Sequence, residues 1–249
     1  MKKGFLQIVK KVVDEADIVL EIIDARFPTK SRNSELERIV ELSGKKLLLV
    51  MNKSDLVSEE KVKKQKELIG VRSVFVSAKN KQGTIKLREA IGKLSGKKEV
   101  KVGIVGYPNT GKSSVINMLK GKKSSGVGAI AGFTKGMQYV RISSKVMLID
   151  SPGVIPLEEK DEILMVLLSA KNIQSLEDLE GTGIEVAEEL LKSNPEKMEN
   201  FYGIKAKDGE EFLEKLAIKR KKLAKGGSPN LNEAASILIT DFQRGKIVL

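Results

Sequence analysis

Residues 100–119 read VKVGIVGYPNTGKSSVINML, and this stretch decides the fold class. An apolar run leads into the pattern G-x-x-x-x-G-K-S and then into helical spacing, which is the strand-to-helix setting of a phosphate-binding loop. Glycines let backbone N–H groups close around phosphate oxygens, and a helix start favours an anion. We therefore predict that Lys112 reaches the β- and γ-phosphates of a nucleotide and that the Ser113 hydroxyl binds Mg²⁺. Further predicted contacts from this loop are Asn109, Thr110, Gly111 and Ser114.

Short apolar runs bounded by turn residues lie before and after this loop, and they indicate buried strands. Helix-like stretches around Ser34–Leu42, Ser58–Leu68 and Thr84–Leu94 separate the first four runs, which predicts a βαβαβαβ order. That order is typical of an α/β fold with a mostly parallel sheet and helices on both faces. An amphipathic N-terminal helix is expected to pack on the sheet. The predicted strands are Ile18–Asp24, Lys46–Asn52, Ser73–Ser77, Val100–Gly106, Gln138–Ile142 and Val146–Asp150.

The pattern changes after Asp150, where the strands stop and helical spacing continues. We therefore expect a nucleotide-binding domain over residues 1–156 and a small all-α domain over residues 157–249. The run Gly181-Thr182-Gly183 is expected to break the second helix of that domain. The predicted helices cover residues 157–170, 176–193, 208–225 and 231–244.

Two polar motifs follow predicted strands upstream of the phosphate loop. Residues 52–55 read NKSD and residues 77–79 read SAK, and both resemble the base-reading elements of translation-factor GTPases. The carboxylate of Asp55 can accept both the N1–H and the N2 amino group of guanine, whereas adenine would present it with an acceptor. The motifs therefore favour GTP and GDP over ATP. Asn52 is expected to brace the loops and Lys53 to lie along the base. Predicted contacts from the second motif are Ser77, Ala78, whose N–H would meet O6, and Lys79.

Two segments downstream of the phosphate loop carry groups that can bind the γ-phosphate of the nucleotide or its Mg²⁺. Residues 150–153 read DSPG after a strand, which places the Asp150 carboxylate where it can hold Mg²⁺ and the Gly153 N–H where it can face a γ-phosphate. Thr134 lies in a loop rich in Lys, Ser and Gly, and we expect it to bring a second hydroxyl to the metal. We predict that Lys112, Thr134 and Gly153 carry the hydrolysis.

The order of these motifs is unusual. Here it is N-K-S-D, S-A-K, phosphate loop, Thr134 and D-S-P-G, whereas ordinary GTPases begin with the phosphate loop. This cyclic shift resembles the circularly permuted GTPases of ribosome assembly. Residues 24–33, DARFPTKSRN, look like the D-A-R-x-P…S-R-N segment of the YlqF/RbgA-type branch, and residues 226–246 are similar to its C-terminal signature. The resemblance implies a Ras-like sheet, a helical RNA-binding C-terminal domain, and action on the large ribosomal subunit or its precursor.

One position departs from the Ras-like pattern. Val154 follows the D-S-P-G motif, where Ras-like enzymes use a Gln to position the attacking water. Valine cannot form a hydrogen bond, and the chain has no His that could substitute for the Gln. We therefore expect slow intrinsic hydrolysis that ribosomal particles stimulate. Asn109 matches the loop position that coordinates an activating K⁺ in related GTPases, and an ordinary loop residue is the equal alternative.

The composition excludes several classes of functional site. The 249 residues include no Cys and no His, which excludes disulfides, thiolate zinc sites and Ser-His catalytic pairs.

The charge is unevenly distributed along the chain. Of the formal charge of +12, residues 1–154 carry +16 and residues 155–249 carry −4, so rRNA should face the N-terminal part. A helix face with Lys215, Lys219 and Lys222 is expected to be a second contact. No apolar run reaches membrane length, and we predict a cytoplasmic monomer without membrane contact.

Two other functions remain open on the sequence alone. A GTP-gated RNA- or ribosome-binding module with negligible hydrolysis is the first, and Val154 together with the absent His favours it. A membrane-signalling GTPase is the second, and the lack of a lipidation Cys and of a strong amphipathic anchor disfavours it. Turnover measured with and without ribosomal subunits separates the enzyme from the binding module.

Overall fold

The chain, in a computed structural model, divides into two compact units, Met1–Glu159 and Lys160–Leu249. In the part that the structure describes, no helix has both the length and the apolar character needed to cross a membrane. The described residues are 2–69, 72–96, 99–121, 129–131, 138–151 and 161–247.

One sheet forms the centre of the first unit. Its strands are β1 (Ile18–Asp24), β2 (Lys46–Asn52), β3 (Ser73–Phe75), β4 (Val100–Val105), β5 (Ala129–Ala131), β6 (Gln138–Arg141) and β7 (Val146–Asp150). Their order across the sheet is β3-β2-β1-β4-β7-β6-β5, with parallel pairing from β3 to β7 and antiparallel pairing of β6 with both neighbours. The six predicted strands are confirmed, although three end one or two residues early. The short β5 was not predicted, because it lies in a segment rich in Gly and Ser.

The central strand β1 shows why the sheet is covered on both faces. Every residue of β1 is buried. Ile18 and Leu20 belong to one apolar cluster, while Val19 and Ile23 belong to two clusters on the opposite face, as the alternation of side chains along a strand requires. Burying each such side chain contributes about 1.5–3 kcal/mol. The near-continuous apolar run that predicted a parallel strand therefore buries its side chains on both faces of the sheet.

Helices cover the sheet of this unit. The N-terminal helix packs as expected, since Val9, Val12 and Val13 are buried in one cluster with strand residues Val105 and Ile149. A Cβ added at Gly103 would lie 2.8 Å from Cγ1 of Val12, so glycine permits this close approach. The helices described in this unit are α1 (Lys2–Glu15), α2 (Ser34–Leu42), α3 (Glu59–Ile69), α4 (Thr84–Ser95) and α5 (Lys112–Lys120).

The second unit is helical, as predicted. Four helices were predicted, but the described residues contain a further short helix, which Asn194 caps and which begins with Pro195, a residue common at the first helical position. The first predicted helix is described only from residue 161. The helices are α6 (Glu162–Leu167), α7 (Leu179–Ser193), α8 (Pro195–Tyr202), α9 (Gly209–Lys219) and α10 (Leu231–Gln243).

The expected break at Gly181-Thr182-Gly183 was wrong. These residues lie inside α7, where the carboxylate of Asp178 caps the helix by accepting the N–H of Gly181 at 2.8 Å. A Cβ added at Gly183 would lie only 2.3 Å from the Cβ of Ala235 in α10. The small residues therefore serve the close packing of two helices rather than a turn.

The predicted basic face of the third helix was also wrong in part. Helix α9 ends at Lys219 instead of residue 225, and Lys221 takes a left-handed conformation with φ 55°. Lys222 therefore lies beyond the helix, where it forms an ion pair of 3.1 Å with Glu233. The ammonium groups of Lys215 and Lys219 donate to the carbonyl oxygens of residues 205 and 203. These three lysines therefore form contacts within the helical unit, at its surface.

The C-terminal signature closes the same unit. The Asp241 carboxylate forms an ion pair of 2.6 Å with Lys246 and accepts a hydrogen bond of 3.4 Å from the Tyr202 hydroxyl. The amide of Gln243 donates to the carbonyl of Val166 at 3.0 Å. This part of the signature thus has a structural role in the packing of α10 against α6 and α8.

Candidate functional site

The predicted motifs meet along one edge of the sheet. Asn52 ends β2, Asp150 ends β7, Gly106 directly follows β4, and Ser77 comes two residues after β3. Because β3, β2, β1, β4 and β7 run parallel, their carboxyl ends lie side by side. In open α/β sheets ligands bind at this edge. Motifs that lie up to about a hundred residues apart in sequence are therefore neighbours in space.

The side chain of Asn52 connects three of these motifs. It is buried, its Nδ2 donates to the carbonyl of Thr110 at 2.8 Å, and its Oδ1 accepts the N–H of Ala78 at 3.0 Å. Asn52, the first residue of N-K-S-D, thus connects the S-A-K loop with the phosphate loop. The sequence predicts that the Ala78 N–H meets guanine O6. In this structure, the same N–H donates to Oδ1 of Asn52.

Lys53 and Asp55 lie at the start of a 3₁₀ turn, Ser54–Leu56. Lys53 adopts a left-handed conformation with φ 62°, which is unusual for a residue other than glycine. Its ammonium group donates to the carboxylate of Asp24 at 2.8 Å. Asp55 is half-buried at the edge of the sheet.

The S-A-K loop is closed by its own serine. Ser77 is buried and exchanges two backbone hydrogen bonds with Gln82, at 3.2 and 3.1 Å, while its Oγ accepts the N–H of Asn80 at 3.2 Å. Lys79 is exposed at the start of this turn. Ser77 therefore fixes the loop that presents Ala78 and Lys79.

Two glycines of the phosphate loop cannot carry a side chain. A Cβ at Gly106 would lie 2.4 Å from the carbonyl oxygen of Ile22, and one at Gly111 would lie 2.1 Å from Nδ2 of Asn52. Both residues also have positive φ, 139° and 98°. Thr110 is buried with its hydroxyl donating to the carbonyl of Tyr107 at 2.9 Å. The loop is therefore packed on β1 and on Asn52 at the same time.

The start of α5 places the polar residues of the loop. Helix α5 begins at Lys112, and Ser113 and Ser114 are exposed in its first turn. Asn109 is exposed and has φ 59°. Backbone N–H groups at a helix start are unpaired within the helix and favour anions. The predicted phosphate contacts are thus grouped at one helix terminus.

Lys112 is buried within the loop. Its Nζ donates to the carbonyl oxygens of Gly106 and Tyr107 at 3.0 and 2.6 Å. Burial lowers the pKa of this ammonium group to about 8, and the negative charge of Asp150 partly opposes that shift. The ammonium group is therefore held inside the loop, at the place where it can meet phosphate oxygens.

Asp150 has the properties of a metal ligand. Its Oδ1 is buried without a hydrogen-bond partner among the described residues. Burial raises the pKa of Asp150, while Lys112 and the N–H of Ser151 act in the opposite direction. Ser151 itself is anchored, because its hydroxyl donates to the carbonyl of Ile104 at 2.7 Å. A buried carboxylate oxygen with free lone pairs fits Mg²⁺, which binds one or two carboxylates together with phosphate oxygens and water.

Three residues of the prediction cannot be placed. Thr134, Gly153 and Val154 lie outside the residues that the structure describes. Among those that it does describe, no cluster of three or more Asp or Glu side chains suited to a metal is present. Asp150 is the predicted Mg²⁺ carboxylate that the structure describes at this edge.

Sequence reasoning missed the part that Asp24 plays at this edge. The D-A-R run indicates only a family resemblance in the sequence, whereas in the structure the Asp24 carboxylate is fully buried and binds both Arg26 and Lys53, each at 2.8 Å. Ser31 closes the segment that follows, with its Oγ donating to the carbonyl of Phe27 and accepting the N–H of Asp24. A signal was present, because a charged residue ends a buried strand beside the N-K-S-D strand.

The fold and the order of the motifs define a circularly permuted P-loop GTPase. The structure is similar to GNP-bound YlqF from T. maritima, with a TM-score of 0.67, 29% identity, and 98% of this chain and 94% of that chain covered. The GDP-bound structure of T. maritima YlqF gives a TM-score of 0.68 at 28% identity. In its fold and in the order of its motifs the chain is similar to the YlqF/RbgA-type, circularly permuted GTPases.

Sequence comparisons agree. Residues 101–208 match the family described as 50S ribosome-binding GTPase. The chain is 41% identical over 245 residues to a GTP-binding protein of Methanocaldococcus jannaschii, with 97% of this chain and 65% of that protein covered. It is 33% identical over 248 residues to nucleolar GTP-binding protein 2 of Saccharomyces cerevisiae, with 95% and 51% covered. The chain thus spans about half to two thirds of the length of these relatives.

Proposed function

We propose that this chain binds GTP and Mg²⁺, hydrolyses GTP to GDP and phosphate, and acts as a nucleotide-switched assembly factor on the large ribosomal subunit or its precursor. One observation carries the nucleotide part of this proposal. Asn52 hydrogen-bonds both the phosphate loop and the S-A-K loop, which supports one site formed by the base-reading and phosphate-binding elements. The family description, 50S ribosome-binding GTPase, supports the partner.

Base recognition is assigned to the N-K-S-D and S-A-K loops. Asp55 would accept the N1–H and N2 amino group of guanine, a pair of bonds that adenine cannot provide. Lys53 would lie along the ring, and Ser77, Ala78 and Lys79 would contact its O6 edge. Guanine O6 would share the Ala78 N–H with Asn52, which holds it in this structure.

Phosphate and metal binding are assigned to the start of α5 and the end of β7. The Lys112 ammonium group would exchange its carbonyl acceptors for β- and γ-phosphate oxygens. Ser113, Asp150 and Thr134 would hold Mg²⁺, whose charge neutralises the phosphate oxygens. Backbone N–H groups of residues 109–114 would complete the cradle.

Hydrolysis is assigned to Lys112, Thr134 and Gly153. The Val154 side chain has no hydrogen-bonding group with which to orient water. Lys112 would stabilise the charge that develops on the phosphate, and the Gly153 N–H would hold the γ-phosphate. Intrinsic turnover should be slow, with stimulation by ribosomal particles. Asn109 is exposed in the phosphate loop, where it would lie beside the phosphates and hold a stimulating K⁺.

RNA contact is assigned first to the positive N-terminal unit and second to a loop of the helical unit. We call residues 220–230 the basic loop. Two backbone bonds fix it, from Ala224 to Ser228 at 2.8 Å and from Asn230 to Lys222 at 2.9 Å. Its tip, Gly226-Gly227, has φ of 103° and 87° and no described atom within 4 Å of an added Cβ. An open backbone next to exposed lysines is suited to close approach by RNA phosphates.

A GTP-gated binding module with negligible hydrolysis is the second candidate. Val154 favours it, because a Val side chain cannot position water. Both candidates require GTP binding, and they differ only in turnover. Stimulated hydrolysis would identify the enzyme.

The test is GTP turnover measured with and without purified large ribosomal subunits, in K⁺ and in Na⁺. We expect slow phosphate release by the protein alone and a clear increase with subunits and with K⁺. Asp150→Asn should abolish the Mg²⁺ dependence, and Asn109→Ala should remove the difference between K⁺ and Na⁺. Nucleotide binding without turnover under any of these conditions would favour the binding module.

A further inference from the structure

The carboxylate of Asp24 holds cations from two different segments at the carboxyl edge of the sheet. Its Oδ1 accepts the backbone N–H and the Nε–H of Arg26, both at 3.0 Å. Its Oδ2 accepts Nη2 of Arg26 and Nζ of Lys53, both at 2.8 Å. Asp24 and Arg26 are fully buried, whereas the Lys53 side chain is 21% exposed. Of the two cations, Lys53 is therefore the one that a ligand can reach.

The pairing of β1 with β2 makes this contact possible. Asp24 and Asn52 are register partners at the ends of these strands, and the Ala25 N–H donates to the carbonyl of Asn52 at 2.8 Å. Lys53 is the next residue of the N-K-S-D motif. The strand register therefore places the Asp24 carboxylate beside the residue that precedes the base-reading turn.

The conformation of Lys53 is one that needs support. A left-handed backbone is unfavourable for a residue with a Cβ and persists where the surroundings hold it. Burial lowers the pKa of Lys53, with Asp24 opposing that shift. Burial alone would raise the pKa of Asp24, but Arg26 and then Lys53 lower it to about 2, so the carboxylate is charged when it holds the lysine. The Asp24 carboxylate is thus ionised where it meets the Lys53 ammonium group at 2.8 Å.

We propose that Asp24 is a positioning residue for guanine-nucleotide binding, which fixes the Lys53 side chain at the place where the base arrives. The proposal rests on the proposed binding of GTP and GDP. A long Lys side chain loses rotamer freedom when it is immobilised, and this cost falls on binding unless the free protein has already ordered it. The D-A-R segment therefore contributes to affinity without touching the nucleotide.

A purely structural role is the competing explanation. Asp24 also organises the segment that contains Arg26, so its loss could weaken binding by disturbing β1 and its loop. The two explanations differ in one respect. Only the positioning role makes the effect of Asp24 depend on the presence of the Lys53 ammonium group.

The experiment is a double-mutant cycle on the dissociation constant of GDP, with Asp24→Asn, Lys53→Met and the double variant. We expect Asp24→Asn to weaken GDP binding about tenfold, equivalent to about 1.4 kcal/mol. In a chain that already carries Lys53→Met, the same change should have no further effect. An equal loss in both backgrounds would overturn the proposal. The matched control pairs Asp24→Asn with Lys86→Met, an exposed lysine of α4, and their effects should add.

Stability is controlled separately, because Asp24→Asn removes a charge that faces the buried guanidinium group. The cycle is therefore repeated in a chain with Arg26→Met, so that Asp24→Asn leaves no unpaired guanidinium group in the core. Coupling between positions 24 and 53 should persist there, and its absence would count against the proposal. If the unmodified protein bound no GDP, the proposed function would fail, whereas tight binding with an additive cycle would reject only the positioning role.

Discussion

The Nδ2 of Asn52 donates a hydrogen bond of 2.8 Å to the carbonyl of Thr110, a residue 58 positions further along the chain. The Oδ1 of the same side chain accepts the N–H of Ala78 at 3.0 Å. Both bonds are buried, so a lost partner leaves a group unsatisfied at a cost of about 1–3 kcal/mol. One amide thus links the loop to which base recognition is assigned with the loop to which phosphate binding is assigned.

Asn52→Ala should therefore weaken GDP binding roughly tenfold to a hundredfold, at about 1.4 kcal/mol per factor of ten. It should also lower the free energy of unfolding by about 1–3 kcal/mol. Calorimetric titration and urea unfolding measure the two effects. Asn80→Ala, at an exposed position of the neighbouring loop, is the control and should change neither. Unchanged GDP affinity in Asn52→Ala would contradict the bracing role.

Gly111 should tolerate no side chain, because a Cβ would lie 2.1 Å from Nδ2 of Asn52 and φ is 98°. We expect Gly111→Ala to weaken GDP binding by more than tenfold through displacement of the loop. Gly92→Ala is the matched control, since no described atom lies within 4 Å of a Cβ at this helical position. That change should raise the free energy of unfolding by about 0.5–1 kcal/mol and leave GDP binding unchanged. Similar behaviour of the two variants in GDP titrations would argue against the proposed clash.

Much of this site could be predicted from local signals in the sequence. G-x-x-x-x-G-K-S requires a strand, a turn and a helix start in succession, and N-K-S-D requires a strand end. Each motif therefore predicted where it lies relative to the strands and helices. Parallel strands then bring Asn52, Gly106 and Asp150 to one edge without further information. Local chemistry and one topological rule were sufficient for this part of the fold.

The features that were missed depend on partners distant in sequence. Gly183 was read as a helix break, since nothing near it announces that Ala235 packs against it. The ion pair of Lys53 with Asp24 spans 29 residues and follows from the register of two strands. The early end of α9 depends on the left-handed Lys221, which carries no typical signal for such a turn. Each of these features is determined by tertiary structure and not by the neighbouring residues in sequence.

Lys112 should give the proposed nucleotide affinity a pH dependence. Burial lowers the pKa of its ammonium group to about 8 in the protein described here, and phosphate oxygens would raise it again on binding. The protonated form then binds better, so affinity for GDP should be steady up to about pH 8 and should fall above it. The slope should approach tenfold per pH unit. Fluorescence titration between pH 7 and 9 measures this, and Lys112→Gln should give weak binding with no such fall. A parallel decline in both proteins would assign the effect to another group.

The basic loop should contribute to RNA binding through Lys221 and Lys225, which are exposed and form no ion pair among the described residues. Changing both to Glu should weaken binding to large-subunit rRNA and reduce the slope of log K against log salt by about 2. Filter binding at graded salt measures that slope. Lys192→Glu with Lys207→Glu is the charge-matched control, on exposed positions elsewhere in the helical unit. Equal losses in both double variants would indicate a general charge effect and count against the loop.

Glu21 should make stability fall as pH rises. It is fully buried in β1, its Oε1 accepts the N–H of Asn33 at 2.7 Å, and its Oε2 has no partner among the described residues. Burial raises its pKa from 4.5 to about 8; the Asn33 N–H opposes this shift, Glu37 reinforces it, and Arg32 lowers it. The carboxyl group is therefore protonated in the folded protein over a range of pH in which it is ionised in the unfolded chain.

The sign follows from that difference. Between about pH 4.5 and 8 the folded state holds a proton that the unfolded state has released, so the free energy of unfolding decreases with rising pH by up to about 1.4 kcal/mol per unit. Glu21→Gln keeps the group neutral and should be increasingly more stable than the unmodified protein as pH rises from 5 to 8. Glu35→Gln, on an exposed position of α2, should show no such trend. Urea unfolding at four pH values decides the matter, since a constant difference between Glu21→Gln and the unmodified protein would mean that Glu21 is ionised in the folded state.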